Sequence, residues 1–263
     1  MKVLMVGDIT GRPGRRILAR FLPNLRQKHG VDFVIANGEN AAGGTGLTRA
    51  TAEEIFACGV DVITGGNHTW HHREIYEFLE SHPKVLRPAN YPPGAPGRGS
   101  LVAQGRRGHR VGVVNLQGRV FMQELEDPFR VGLQEVEKLR EETPLIFVDI
   151  HAEATSEKMA LAWFLDGRVS AVLGTHTHVQ TADERILPGG TAYITDVGMT
   201  GPRDGIIGME REEVIQRFLT QLPVRFQVAK GTAQLDAVLV EVDEETGKAL
   251  GIQRIHLVEG TGE

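Results

Sequence analysis

Five short apolar runs in this sequence are each followed by side chains that can hold a metal ion or move a proton. Asp8 comes after Val3-Leu4-Met5-Val6, and Glu39 and Asn40 after Phe33-Val34-Ile35. Asn67 and His68 follow Val60 to Ile63, His151 follows the run ending near Asp149, and His176 and His178 follow Ala171-Val172-Leu173. Carboxylate, amide and neutral imidazole groups suit iron, manganese or zinc, and imidazole also serves as a general acid. Singly, each signal is ordinary: an Asp after a strand is commonly a turn or cap residue, and a lone His a hydrogen-bonded structural group. Jointly they point to a metal site, because ligands in α/β sheets bind beyond the carboxyl ends of strands. Histidines two apart in an extended chain share a side, so His176 and His178 are expected to face one cleft while Thr177 turns away.

The elements that must position these groups alternate. Val3–Val6 reads as a strand buried on both faces. Ile17, Leu18, Phe21, Leu22 and Leu25 then recur at helical spacing until Gly30. Phe33–Ile35 and Val60–Ile63 are strands around a helix opened by Thr51-Ala52-Glu53-Glu54, which has capping-box form and which Gly59 can end. Arg73 to Leu79 suggests a further helix. Val111–Val114, Leu145–Val148 and Ala171–Leu173 give later strands, with helical patterns over Val131–Arg140 and Glu157–Leu165 between them. Arg211–Leu219 reads as a last helix. Ala237–Val240 and Ile252–Leu257, joined near Thr246-Gly247, form a terminal hairpin. Strands alternating with helices predict a layered α/β fold, as a single domain over 1–263. The Pro/Gly-rich stretch 87–100 and the Gly-rich stretch 198–208 are candidate rims or caps of a pocket.

Composition narrows the classes. The chain has 263 residues, 41% of them hydrophobic, enough for a packed core. The formal net charge is −5, with both signs mixed along the chain. No basic stripe runs through the sequence, so an extended nucleic-acid surface is not expected. The single cysteine, Cys58, excludes an internal disulfide and reads as a small hydrophobe rather than a catalytic thiol. Met1 to Val6 is too short for a signal-peptide core, and no apolar stretch is long enough to span a membrane. The expected location is the cytoplasm. His29, His82, His109 and His256, and also His71 and His72, are expected to be structural.

Gly7-Asp8, Gly38-Glu39-Asn40, Gly66-Asn67-His68, His151 and Gly174-Thr175-His176-Thr177-His178 resemble the ordered motifs of the calcineurin-like metallophosphoesterases. Gly38 to Gly44 (Gly-Glu-Asn-Ala-Ala-Gly-Gly) and Thr195-Asp196-Val197-Gly198-Met199-Thr200-Gly201 bring the chain nearest the YmdB-like branch. Two positions depart from the wider superfamily. Thr10 stands where a histidine is usual, and Glu39 where a bridging aspartate is usual; the resemblance implies that Asn40 fills the first vacancy. It further implies that Asp8, Glu39, Asn40 and His178 hold one metal. Asn67, His151 and His176 would hold a second, with Glu39 bridging. Iron is the first expectation for the pair, manganese or zinc the alternatives.

The expected activity is hydrolysis of phosphodiesters, by resemblance 2′,3′-cyclic nucleotides, through a metal-bridging hydroxide with His68 as general acid. Two divalent ions, two carboxylates and a hydroxide sum to about +1, which attracts an anionic diester. Two other classes compete. A nucleotide-binding module would use Gly7 to Gly14 or Gly43 to Gly46, but neither has the spacing of a phosphate-binding loop, and His151, His176 and His178 would have no role. A metal-binding regulatory or scaffold protein with little turnover would keep the ligands, but gives no reason for His68. The expected partner is a small phosphodiester, with no membrane and with homo-oligomers open.

Overall fold

The computed structural model describes residues 1–260; the last three positions of the expected domain, 261–263, lie outside the described residues. The chain opens with β1 (Lys2–Val6), the short β2 (Asp8–Ile9) and α1 (Gly11–His29). It continues through β3 (Phe33–Asn37), α2 (Arg49–Ala57), β4 (Val62–Thr64) and α3 (Ile75–Ser81). A second run comprises β5 (Ser100–Gln104), β6 (Arg110–Gln117), α4 (Pro128–Arg140), β7 (Ile146–His151), α5 (Thr155–Phe164) and β8 (Ala171–Thr175). β9 (Arg185–Ile186), β10 (Ala192–Ile194), β11 (Met199–Pro202) and α6 (Arg211–Thr220) lead to the long hairpin of β12 (Ala233–Val242) and β13 (Ala249–Val258).

The strands divide into two sheets. One has seven strands in the order β2-β11-β12-β1-β3-β4, with β13 on β12; the other has six, β5-β6-β7-β8-β10-β9. Period-two alternation gives each strand two apolar faces. In β1, Val3 and Met5 join Phe33, Ile35, Val113, Phe147 and Leu173 in a core between the sheets. Leu4 and Val6 point the other way, into a core with Ile17, Leu18 and Leu22 of α1 and Ile55 of α2. On the outer face of the second sheet, Val114, Val148 and Val172 pack with Val136 and Leu139 of α4 and Leu161 of α5. The result is four layers, helices outside two facing sheets, which bears out the α/β expectation.

One local expectation needs correction. The capping box of α2 is Thr48 with Thr51, three residues before the expected one: Thr51 N–H donates to Thr48 Oγ1 at 3.2 Å, and Thr48 N–H to Thr51 Oγ1 at 3.0 Å. Thr51 is therefore inside the helix, where Glu54 cannot act as its capping partner. The expected terminal hairpin forms, and its first strand is central: β12 lies between β1 and β11, pairing antiparallel with β1 over Lys2 to Val6. Gly30 does end α1, in the left-handed conformation that glycine adopts without steric cost.

No helix among the described residues is long and apolar enough to cross a membrane. Stretch 87–100 is clamped by the buried Arg87, whose guanidinium donates to the carbonyls of Pro88, Ala89, Ala95 and Pro96.

Candidate metal centre

The loops after β1, β3, β4, β7 and β8 meet at one edge of the sandwich, where the two sheets present their carboxyl ends together. The pairings β1–β3, β3–β4 and β7–β8 are all parallel, so these strands end on the same side. Asp8, Glu39, Asn40, His151 and His178 are buried, and His176, Asn67 and His68 are partly so. Burying ionisable groups at this density is unfavourable unless each is paired or holds a metal.

Two clusters of ligand atoms emerge. Glu39, His151 and His176 offer atoms all within 4.8 Å of one another, and so do Asp8, Glu39 and His178. Glu39 belongs to both, the position expected of a bridging ligand. In the first, His151 Nε2 lies 3.3 Å from Glu39 Oε2, 3.1 Å from His176 Nδ1 and 2.9 Å from Asn67 Oδ1. In the second, His178 Nε2 lies 3.8 Å from Asp8 Oδ1 and 3.1 Å from Asn40 Nδ2, which donates to Glu39 Oε1 at 2.8 Å. All the expected positions are thus brought together. Asn40 presents its nitrogen to Glu39, so holding a cation through Oδ1 requires that amide to turn over.

The imidazoles are held through the nitrogen facing away from the cluster. His178 Nδ1 donates to the Ile207 carbonyl at 2.9 Å. His151 Nδ1 donates to Thr175 Oγ1 at 2.9 Å, which passes its own proton to Asp149 Oδ1 at 2.7 Å. Asp149 is held in turn by Thr64 and Asn37. Each arrangement keeps the proton on Nδ1, so Nε2 is the nitrogen that can ligate a metal once the ring is neutral, as a metal-ligating histidine requires. His176 Nε2 instead reaches Glu153 at 3.1 Å, which turns Nδ1 inward.

His176 and His178 converge for a reason other than strand alternation. They lie beyond β8 with positive backbone φ of 100° and 64°, a conformation costing non-glycine residues on the order of 1–3 kcal/mol each. The turn is held by Asp196, whose Oδ2 accepts from Thr177 N–H at 3.1 Å and Thr177 Oγ1 at 2.7 Å. Asp196 is itself paired with the fully buried Lys158 at 2.8 Å. Thr177 does turn away from the cleft. The Thr195–Gly201 motif thus supplies the clamp for this turn, which sequence reasoning did not assign.

Close approach sets a further requirement. A Cβ on Gly66 would fall 2.4 Å from the His151 ring and 2.6 Å from Glu39 Oε2, so only glycine lets β4's loop pass over the cluster. Thr10 is buried and directs Oγ1 to the Asp8 carbonyl at 3.3 Å.

Electrostatics favour a cation. Asp8 Oδ1 is buried with no hydrogen-bond partner, and burial pushes the Asp8 carboxyl up to about 6 against the pull of His178 and His151. Burial would also raise Glu39, but His151 and His68 hold it well below the usual carboxylate range. Burial opposes charge on His151, yet Glu39 and Asp8 carry it up to about 9. His176, desolvated and beside His151, falls to about 3. An orphaned carboxylate oxygen, a second carboxylate and three imidazoles form a donor set that fits transition-metal ions.

A cavity of about 670 Å³ opens over the cluster, lined by Glu39, Asn40, His68, His176 and His178, and opposite them by Ile206, Ile207, Met209, Phe218 and Phe226. The 198–208 stretch therefore contributes to its rim, whereas 87–100 does not line it. His68 Nδ1 donates to Asn40 Oδ1 at 2.8 Å and lies 3.2 Å from Glu39 Oε1, which leaves Nε2 toward the cavity. His72 is bound to the Thr45 carbonyl at 2.9 Å, His109 and His256 to Glu244 and Asp236, and His82 stacks on Phe78. Cys58 is half-buried and its thiol is pushed up by burial, which makes it unreactive.

The sequence matches the family described as YmdB-like protein over residues 4–255. It is 52% identical over 255 residues to the 2′,3′-cyclic-nucleotide 2′-phosphodiesterase of Bacillus subtilis (strain 168), covering 97% of this chain and 96% of that one. Among solved structures, a hypothetical protein from Thermus thermophilus superposes with a TM-score of 0.92 at 47% identity, covering 98% of this chain and all of the other (100%). A novel phosphatase from Mycoplasma pneumoniae superposes with a TM-score of 0.92 at 37% identity, over 98% of this chain and 93% of that one.

Proposed function

The chain belongs to the YmdB-like family of metallophosphoesterases, and on that premise we propose that it is a dinuclear metal-dependent phosphodiesterase acting on 2′,3′-cyclic nucleotides. The observation that carries this is the convergence of Asp8, Glu39 and His178 on one point and of Glu39, His151 and His176 on another, with Glu39 common to both. Asp8, Glu39, Asn40 and His178 would hold one ion, and Glu39, Asn67, His151 and His176 the other. Iron is proposed for both, with manganese or zinc as substitutes. The named relative supplies the substrate class. We assign the activity to a single metallophosphoesterase domain working in the cytoplasm.

When bound, such a pair supplies positive charge for the phosphate and a water acidic enough to attack at neutral pH. The chain's own groups do the rest. The cavity is large enough for a nucleotide, and its Met209, Phe218 and Phe226 wall excludes water from one side of the substrate. As phosphorus gains the water oxygen, its bond to the ribose oxygen breaks and that oxygen needs a proton. His68 is placed to give it from Nε2, because Glu39 Oε1, 3.2 Å from Nδ1, orients the ring with Nε2 toward the cavity. Glu39 also accepts the His68 backbone N–H at 3.0 Å, fixing the loop that carries the ring.

The test is metal analysis combined with turnover. Purified protein should carry about two transition-metal ions per chain and hydrolyse a 2′,3′-cyclic nucleotide. His68→Ala should keep its metal and lose about 10²- to 10⁴-fold in rate on a ribose leaving group, with far less loss on activated aryl diesters. Equal losses on both substrate classes would remove His68 from the acid role.

A further inference from the structure

A groove of one charge sign adjoins the proposed metal centre. It has a volume of about 920 Å³ and is lined by Arg12, Arg16, Arg225 and Lys230, with no carboxylate among its lining residues. The chain as a whole has more acidic than basic residues, 34 against 29, so this concentration of cations is local. Arg16 is engaged by Glu259 at 2.7 Å. The side chains of Arg12, Arg225 and Lys230 are exposed and have no hydrogen-bond or ion-pair partner among the described residues.

The groove and the catalytic cavity share a wall: Gly43 and Phe226 line both. The wall is built by close packing. A Cβ on Gly11 (φ +59°) would sit 3.0 Å from the Val228 methyls, and one on Gly44 (φ +100°) 2.8 Å from Val228 Cγ2. Gly11 opens α1 three residues after Asp8, Gly44 belongs to the loop that carries Glu39-Asn40, and Gly11 N–H donates to the Asn40 carbonyl at 2.9 Å. The segment around Val228 therefore lies directly across both ligand-bearing stretches, and brings Arg225 and Lys230 beside Arg12. On the cavity side the wall is aromatic, Phe218 and Phe226, a surface on which a base can stack.

Resting on the phosphodiesterase assignment above, we infer that the enzyme takes the 3′ end of an RNA strand. The terminal nucleotide occupies the cavity, and the phosphates of the preceding nucleotides lie on Arg12, Arg225 and Lys230. A free cyclic mononucleotide brings only the phosphate that reacts, and gives these three cations nothing to bind. A strand ending in the same cyclic phosphate adds one anion for each preceding nucleotide, each a match for an unpaired guanidinium or ammonium. The cyclic end group requires a 2′-oxygen, so the strand is RNA. The basic surface is invisible along the sequence because Arg12 and Arg225 come from opposite ends of it. The fold, not a run of basic residues, assembles the patch.

The test compares a 2′,3′-cyclic mononucleotide with a trinucleotide bearing the same terminal base and cyclic phosphate, both with metal-loaded protein. At low salt kcat/KM should favour the trinucleotide by about tenfold or more, and the preference should shrink as salt rises. The triple variant Arg12→Ala, Arg225→Ala, Lys230→Ala should abolish the preference while leaving mononucleotide turnover unchanged. These side chains are exposed and unpaired, so the variant should melt as the parent does. Fluorescence anisotropy with a 5′-labelled trinucleotide 3′-phosphate reads the groove without turnover, and the triple variant should bind it at least about tenfold more weakly. Mononucleotide hydrolysis with no trinucleotide preference, or a preference that survives in the triple variant, overturns the inference and leaves the phosphodiesterase standing. Hydrolysis of neither substrate, with anisotropy that still depends on the three cations, sinks the phosphodiesterase and keeps the strand-binding groove.

Discussion

At the scale of single residues, the strongest determinants of the site stand behind the proposed ligands. Asp8, Glu39, Asn40, Asn67, His151, His176 and His178 were legible because metal-capable groups at strand ends are uncommon in such number. Thr175, Asp149, Asp196 and Lys158 were not, because a buried threonine or lysine in an apolar run looks like an interruption until its partner is seen. Thr175 Oγ1 accepts from His151 Nδ1 and donates to Asp149. Replacing it by valine keeps the shape and removes the relay, freeing His151 to change tautomer. Thr175→Val should weaken metal affinity by about 10- to 100-fold and destabilise the fold by about 1–3 kcal/mol, since Asp149 Oδ1 loses its donor while buried. Thr175→Ser restores the hydroxyl and should recover the affinity. Metal titration of both variants checks this: a purely structural threonine would lower stability and leave affinity untouched.

Among the elements, strand existence was readable and strand neighbours were not. Runs such as Val111–Val114 or Ala171–Leu173 announce burial, but β10 and β11 are short, and β11 pairs with β2 and β12, both distant from it in sequence. The α2 start shows why local pattern misplaces a boundary. Thr51-Ala52-Glu53-Glu54 and Thr48 to Thr51 both satisfy a capping pattern, and the choice depends on where Ala52 and Ile55 must sit to pack against the sheet. Because Thr48 is the true cap, Thr48→Ala should cost about 0.5–2 kcal/mol. Glu54→Ala, which removes only the exposed ion pair with Arg15, should cost within about 1 kcal/mol. Chemical denaturation of both variants distinguishes them, and a larger loss for Glu54→Ala would restore the cap to Thr51. The turn after β8 is a second case. Strand periodicity leads to the convergence of His176 and His178 by a different geometry, since both have positive φ in a turn that Asp196 holds through Thr177.

For the whole molecule, the alternation of elements implied an α/β fold but did not separate one sheet from two. Strands buried on both faces look alike whether their second face meets a helix or another sheet. The sandwich matters because β1, β3 and β4 come from one sheet and β7 and β8 from the other, so the metal centre is closed by the packing of the two sheets. Metal and fold are thereby coupled, and protons mediate the coupling. In metal-free protein at pH 7.5, Asp8 at about 6 and His176 at about 3 are largely deprotonated, whereas His151 at about 9 retains its proton. Binding through His151 Nε2 must expel that proton, so loading should release at least about one proton per chain at pH 7.5, with a further one where a metal-bound water ionises. Below pH 6 Asp8 is protonated as well, and apparent affinity should fall more steeply with acidification. Stability follows the same sign. A group raised above its unfolded value stabilises the fold below that value and loses the contribution as pH rises through the folded one. Metal-free protein should therefore lose the His151 contribution between pH 6.5 and about 9, while metal-loaded protein, whose His151 is already neutral, should not. Calorimetric titration in buffers of different ionisation enthalpy counts the released protons, and melting temperatures against pH compare the two forms. Zero proton release, with parallel melting profiles, would mean that His151 binds no metal and that the proposed centre is wrong in its most buried ligand.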